Sequence, residues 1–244
     1  MHLRIAEKMC ASTALSQEVR RLLAGAWPAF YLGNVAPDFQ VTAGLPRAST
    51  HFYEIPPDLS QPPYEVMWQQ YPELAEASNL PLNQAVFVAG YAAHLLLDIV
   101  WLRDILYPYF FETQLWNGHN EGRVVHFILL TYLDRMAADS LPPDAGETLS
   151  AARNEQWLPF GKDAELSNWR DMLADQLQPG REIETIPIYA ERVGLTADEF
   201  GRRLEDPEWM ETHLLQKIPV DEVQRIIDGS VADSVALITE YLTR

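Results

Sequence analysis

Ala85-Val86-Phe87-Val88-Ala89-Gly90-Tyr91-Ala92-Ala93-His94-Leu95-Leu96-Leu97-Asp98-Ile99-Val100-Trp101-Leu102 is the most apolar stretch of the chain, and its reading decides the fold. It is almost long enough to cross a bilayer, but His94 and Asp98 interrupt it and Arg103 and Asp104 close it. Ionisable groups inside a span are costly, so a buried helix of a soluble protein is the better reading and no transmembrane segment is expected. Outward from this stretch, apolar residues recur with helical spacing over residues 3–23, 64–78, 119–138, 163–177, 197–204, 207–216 and 221–242, and the central helix itself is predicted over 83–106. Pro62-Pro63 suits a first turn before the helix at 64, and Asp221 places a negative charge where a helix start favours it. Residues 30–52 are rich in Gly, Pro, Ser and Thr and read as an irregular connection. No alternating run is long enough to support a sheet, so the predicted fold class is all-α.

The 244 residues include 18 Lys+Arg and 35 Asp+Glu, a formal net charge of −17. A hydrophobic share of 48% with 22% charged residues is that of a globular chain with a core, not a disordered one. The single cysteine, Cys10, excludes an internal disulfide framework and a Cys-rich zinc site. Strong acidity argues against a nucleic-acid duplex or an anionic membrane surface as partner, because both are polyanions. The N-terminus has no apolar segment followed by a small-residue cleavage site, so a cytoplasmic location is expected. Residues 1–136 hold 13 acids and 8 bases, whereas 137–244 hold 22 and 10, and five of the six histidines lie at or before His126. Leu141-Pro142-Pro143-Asp144-Ala145-Gly146 reads as a loop between them. The chain is therefore expected to consist of a metal-binding helical core, 1–138, and an acidic helical portion, 139–244, packed on it as one compact unit.

The metal is suggested by His94 and Asp98. Four residues apart, they lie about 40° from each other on one helix face. A carboxylate among apolar neighbours is costly unless it is paired or bound to a cation. No Lys or Arg occurs between Glu54 and Asp98, so a local cationic partner is absent. A metal half-site is one reading; a closed His94–Asp98 hydrogen bond, or Arg103 or Arg123 folding back, is the other. His2, Asp38 and His51 each have an ordinary explanation when taken alone: a frayed terminus, a cap or turn residue, a loop histidine. His119 and His126 lie about 20° apart on one face and are either a ligand pair or, for His126, a core histidine bonded to a backbone carbonyl. His213 is expected at the surface.

The order of these pieces carries more than any one of them. A histidine beside Leu3 near the start, then Gly33-Asn34-Val35-Ala36-Pro37-Asp38, then His51-Phe52-Tyr53, then Gly90-Tyr91-Ala92-Ala93-His94-Leu95-Leu96-Leu97-Asp98, resembles the zinc-dependent phospholipase C family. That family has an all-α core related to nucleases of the S1/P1 type, and the resemblance covers residues 2–126. It implies a phospholipase C/P1-nuclease-like core with a C-terminal helical extension. It also implies that Asp38, His51, His94 and Asp98 ligate one zinc ion and that His2 and Asp98 ligate a neighbouring one. A third ion in the family uses two histidines and a glutamate; Asp104 and His119 stand at or near the histidine positions, and Arg123 stands where the glutamate belongs. An arginine cannot ligate zinc, so one or two ions are expected rather than three. The resemblance implies a zinc-dependent phosphoester hydrolase, with Asp38 as ligand and general base and a small phosphoester or phospholipid head group as substrate. The second reading, favoured by Arg123, is a helical protein that keeps the metal without catalysis.

Overall fold

The computed structural model describes residues 1–57, 60–178 and 185–244. Every regular element among them is helical. The first half runs α1 (His2–Ala11), α2 (Gln17–Gly25), α3 (Trp27–Val35), a 3-10 turn at Ala36–Phe39, α4 (Gln40–Ala43), α5 (Ala48–His51), α6 (Pro63–Gln70), α7 (Leu82–Trp101) and α8 (His119–Ala138). The second half runs α9 (Ala145–Ser150), α10 (Asp163–Gln176), α11 (Thr185–Arg192), α12 (Ala197–Glu205), α13 (Pro207–Met210) and α14 (Val220–Leu242). Wider π-type turns prolong α7 over Leu102–Phe111 and α13 over Glu211–Leu215.

Helix α7 is the axis of the fold. By length and composition Leu82–Phe111 could cross a membrane, but 78% of its apolar window is buried inside the protein, as in a core helix. Its broadest packing partners are α3 and α14. Against α3 the backbones nearly touch. A Cβ added to Gly33 would lie 2.1 Å from the Phe87 carbonyl oxygen, and one on Gly90 would lie 2.6 Å from that of Phe30. Only glycine permits this approach. It presses the end of α3, and the turn carrying Asp38, against the stretch of α7 that carries His94.

The structure differs from the periodicity in instructive places. Residues 3–23 form two helices, because Ser16 caps a new start: its Oγ accepts from the Val19 N–H at 3.2 Å. Residues 30–52 are not irregular but largely helical, in short pieces. In α3, Ala29 through Val35 are all buried, so the helix has no polar face for spacing to reveal. The helix predicted over 64–78 stops at Gln70, and Pro72 opens a tight turn instead. Helix α9 begins inside the stretch read as a loop, and α11 had no signal in the pattern.

One buried cluster joins both halves, with Phe30, Phe87 and Leu95 from the first and Leu149, Trp169, Phe200 and Ile238 from the second. Trp169 Nε1 donates to the Val35 carbonyl at 2.7 Å, and the Tyr241 hydroxyl donates to that of Leu74 at 2.8 Å. Each such large side chain contributes about 1.5–3 kcal/mol by burial, and the two bonds satisfy polar atoms that burial would otherwise strand.

Candidate metal centre

Five side chains from four parts of the chain meet beside α7. His2 opens α1, Asp38 sits in the turn after α3, His51 ends α5, and His94 and Asp98 lie one turn apart on α7. His51 Nε2 is 3.4 Å from Asp38 Oδ1 and 3.4 Å from Asp98 Oδ2. His94 Nε2 is 3.7 Å from Asp98 Oδ2 and 3.9 Å from Asp38 Oδ2. His2 Nε2 is 3.6 Å from Asp98 Oδ1, and its ring stacks on that of His94 with centroids 3.8 Å apart. These separations are those of groups facing a common point rather than bonding each other.

The back of each imidazole shows which nitrogen faces that point. His94 Nδ1 lies 2.8 Å from the Asn34 carbonyl oxygen. A carbonyl only accepts, so Nδ1 carries a proton, and in the neutral ring the lone pair is on Nε2. His51 Nδ1 lies 2.9 Å from Thr50 Oγ1, whose own proton is donated to the Arg47 carbonyl at 3.2 Å. Thr50 must then accept from Nδ1, and the lone pair of His51 is again on Nε2. Both Nε2 atoms are buried without a hydrogen-bond partner, as is Nδ1 of His2. Outer partners that fix a ring and its tautomer are what a metal-binding histidine has. The Tyr91 hydroxyl donates to the Thr50 carbonyl at 2.6 Å and ties α5 to α7. After His51, Phe52 adopts a left-handed φ of 61°, which costs about 1 kcal/mol for a residue with a Cβ. That step turns the chain so that Tyr53 returns to the cluster.

Protonation states agree with a cation site. Burial pushes the His2 and His51 imidazoles well towards the neutral form. For Asp38, burial opposes ionisation, but His51, His94 and Arg47 outweigh it and hold the carboxyl well below its usual range. For Asp98, burial again opposes and Arg47, His94 and His51 again prevail. A divalent metal requires deprotonated ligands, and the ionised carboxylates of Asp38 and Asp98, with burial disfavouring a charge on His2 and His51, meet that requirement. Two overlapping groups, His2 with Asp38 and His94, and His51 with His94 and Asp98, each bring their ligand atoms within 4.8 Å of one another. Nitrogen and oxygen donors of this kind suit zinc.

Sequence reasoning missed Arg47. It lies just before α5, outside the interval between Glu54 and Asp98 in which no cation occurs. Its Nη2 bonds Asp98 Oδ2, and the Tyr53 hydroxyl accepts from Arg47 and lies 3.2 Å from the same Asp98 oxygen. The alternatives weighed from sequence do not form: Arg103 pairs with Asp104, and Arg123 Nη2 donates to the Arg192 carbonyl at 2.6 Å.

Asp104 and His119 do not join the cluster. Asp104 is held by Arg103 at 2.5 Å, and His119 is exposed at the start of α8. Neither belongs to a candidate metal group among the described residues. The bond to a backbone carbonyl expected of His126 is not found among the described residues; its Nε2 accepts from Trp101 Nε1 at 3.1 Å instead. A cavity of about 270 Å³ opens on the cluster. His2, Asp38, Arg47 and Asp98 line it on the side of the cluster, Asp134 and Arg192 are further charged residues of its wall, and Leu106, Phe127, Ile188 and Tyr189 are among its apolar lining.

The family model described as zinc dependent phospholipase C matches residues 1–136. The chain belongs to that family. All five clustered residues lie inside the matched region, and Ile188 and Tyr189 of the cavity lie beyond it. No curated protein and no solved structure matched the chain. Membership and the His/Asp groups together make the protein a zinc-dependent hydrolase of the phospholipase C type, with one or two zinc ions as cofactor.

Proposed function

We propose that this member of the zinc-dependent phospholipase C family hydrolyses a small phosphoester, or the head-group ester of a phospholipid, at a centre formed by His2, Asp38, His51, His94 and Asp98. One observation carries the reading: lone-pair nitrogens of His51 and His94, buried and unpartnered, converge with two carboxylates beside a cavity. Asp38, His51, His94 and Asp98 would hold one ion, and His2 with Asp98 a second. Bound zinc supplies Lewis acidity towards the phosphoryl oxygens and lowers the pKa of water.

The chain's own groups do the rest. Asp38 faces the cavity from the edge of the cluster, and its ionised carboxylate takes a proton from the water that attacks phosphorus. As the new O–P bond forms, the bond from phosphorus to the leaving alcohol breaks. The alcohol oxygen takes a proton from solvent, and Asp38 returns its own to solvent. The rings of His51 and His94, already locked by Thr50 and Asn34, need no reorientation during this change. The apolar wall of Leu106, Phe127, Ile188 and Tyr189 excludes water and accommodates the carbon part of the ester. The net charge of −17 repels a nucleic-acid duplex and leaves small esters as the favoured class.

The test is turnover of bis(4-nitrophenyl) phosphate and of short-chain phosphatidylcholine by protein stripped with a chelator and then reloaded with zinc. Hydrolysis of at least one of them, lost on stripping and regained on reloading, is expected. Tight zinc binding with no turnover of either ester would overturn the catalytic reading in favour of a metal-binding protein.

A further inference from the structure

Arg47 stands inside the cluster although a guanidinium cannot ligate a metal. Its Nη2 bonds Asp98, its Nη1 lies 3.6 Å from Asp38 Oδ1, and Nη2 also donates to the Tyr53 hydroxyl at 2.8 Å. It therefore spans the two carboxylates that a cation would need. Its side chain is 35% exposed and lines the cavity, whereas that of Asp98 is 13% exposed. The guanidinium is thus the more accessible partner of the pair.

Charge decides what this arrangement can do. With the imidazoles neutral, as metal ligation requires, two carboxylates and one guanidinium leave one net negative charge. A single divalent cation turns that into one net positive charge, and a second ion raises it further. Carboxylate lone pairs held by Arg47 are not free for a metal, so the two cations compete for Asp38 and Asp98. Once a metal holds those oxygens, the guanidinium loses its carboxylate acceptors, keeps only the Tyr53 hydroxyl among the acceptors described, and faces a cavity that now attracts an anion. Its planar fork matches two oxygens of a phosphoryl group.

We propose that Arg47 is an exchangeable counter-ion, which neutralises Asp38 and Asp98 in the metal-free protein and, when zinc takes those carboxylates, turns to the phosphoryl oxygens of the substrate. The proposal rests on the zinc-hydrolase reading above. It makes Arg47 an anion-binding residue of the loaded site and gives a reason for a cation in a centre that must itself bind cations.

The experiment titrates zinc calorimetrically into metal-free wild type, Arg47→Gln and Arg47→Lys, and then inorganic phosphate into each zinc-loaded protein. Arg47→Gln is expected to bind zinc at least about tenfold tighter, because a competing positive charge is gone. The loaded variant is expected to bind phosphate at least about tenfold more weakly than wild type, because a bidentate charged donor is lost. Arg47→Lys keeps the charge and loses the fork, so it should fold even if the glutamine variant does not, and its phosphate affinity should fall between the other two. Unchanged zinc affinity in Arg47→Gln, or phosphate affinity in Arg47→Lys equal to wild type, would overturn the proposal while leaving the hydrolase reading intact. A wild-type protein that binds no zinc overturns the hydrolase reading itself, and the proposal with it.

Discussion

Around Asp98, imidazoles and carboxylates from α1, the turn after α3, α5 and α7 converge; around His119, the same residue types stay apart. Asp98 is largely enclosed, and its neighbours are three histidines and one arginine. Asp104, six residues on, satisfies itself with the adjacent Arg103 in partly exposed surroundings. His119 is exposed, and Arg123 reaches across to a backbone carbonyl of α11. The difference lies in the surroundings rather than in the residues. Burial makes an acid's charge costly, so every neighbour of Asp98 must compensate it. Exposure leaves the second region to water and to surface ion pairs worth little. A ligand-like spacing becomes a site only where the fold withdraws it from water.

The largest expected effect tests that contrast directly. Asp98→Asn should lower zinc affinity at least about a hundredfold, since it removes a ligand rather than an outer partner. Asp104→Asn and His119→Ala should retain wild-type zinc in elemental analysis. Loss of zinc in either of these would show that the two regions act as one centre.

Next comes the contact that creates the enclosed region. Gly33→Ala forces a methyl group against the Phe87 carbonyl. It should reduce the unfolding free energy by about 3 kcal/mol in denaturant titrations, the upper range for overpacking. Zinc affinity should fall too, because Asp38 follows α3. Gly229→Ala, on an exposed helical position with nothing within 4 Å of the added carbon, should instead add up to about 1 kcal/mol. Equal effects at the two glycines would deny the close approach its role.

Acid should sharpen the comparison by attacking the enclosed imidazoles first. Burial holds His126 down to about 3, against an ordinary value near 6.5. Protonation then favours the unfolded chain, so the stability this group carries is full above pH 6.5 and is lost as pH falls towards 3. At pH 5 the loss from this residue is up to about 2 kcal/mol. Burial shifts His2 and His51 in the same direction. His126→Gln should therefore flatten, without abolishing, the fall in stability between pH 7 and pH 5. An unchanged pH profile would mean that His126 is protonated as readily in the fold as out of it.

The smallest effect belongs to an outer partner. Thr50→Val keeps the shape of the side chain and removes the oxygen that accepts from His51 Nδ1. Zinc affinity should drop about tenfold, with the helical circular dichroism unchanged. Wild-type affinity would show that the threonine does not set the tautomer.

Parts of this were legible in the residues. The apolar run around His94 and Asp98 predicted a buried helix, and helical spacing placed both groups on one face. Helix α8, α10, α12 and α14 followed from their own periodicity, because each keeps a solvent face. Helix α3 did not, since it is buried on every side. His2, Asp38 and His51 were legible only through their order along the chain, as a resemblance to a family. Arg47 carried no signal at all: its partner Asp98 lies 51 residues away, and the segment around it looked irregular.

The sequence by itself determined an all-helical chain and one face of the centre, because helix geometry converts spacing into direction without help from the rest of the molecule. Only the tertiary structure decided which candidates meet, that an arginine stands among them, and that α11 closes part of the cavity wall. The reason is the backbone contact at Gly33 and Gly90. Convergence depends on how near two helices can come, and that distance is set by atoms far apart in the chain rather than by any local pattern.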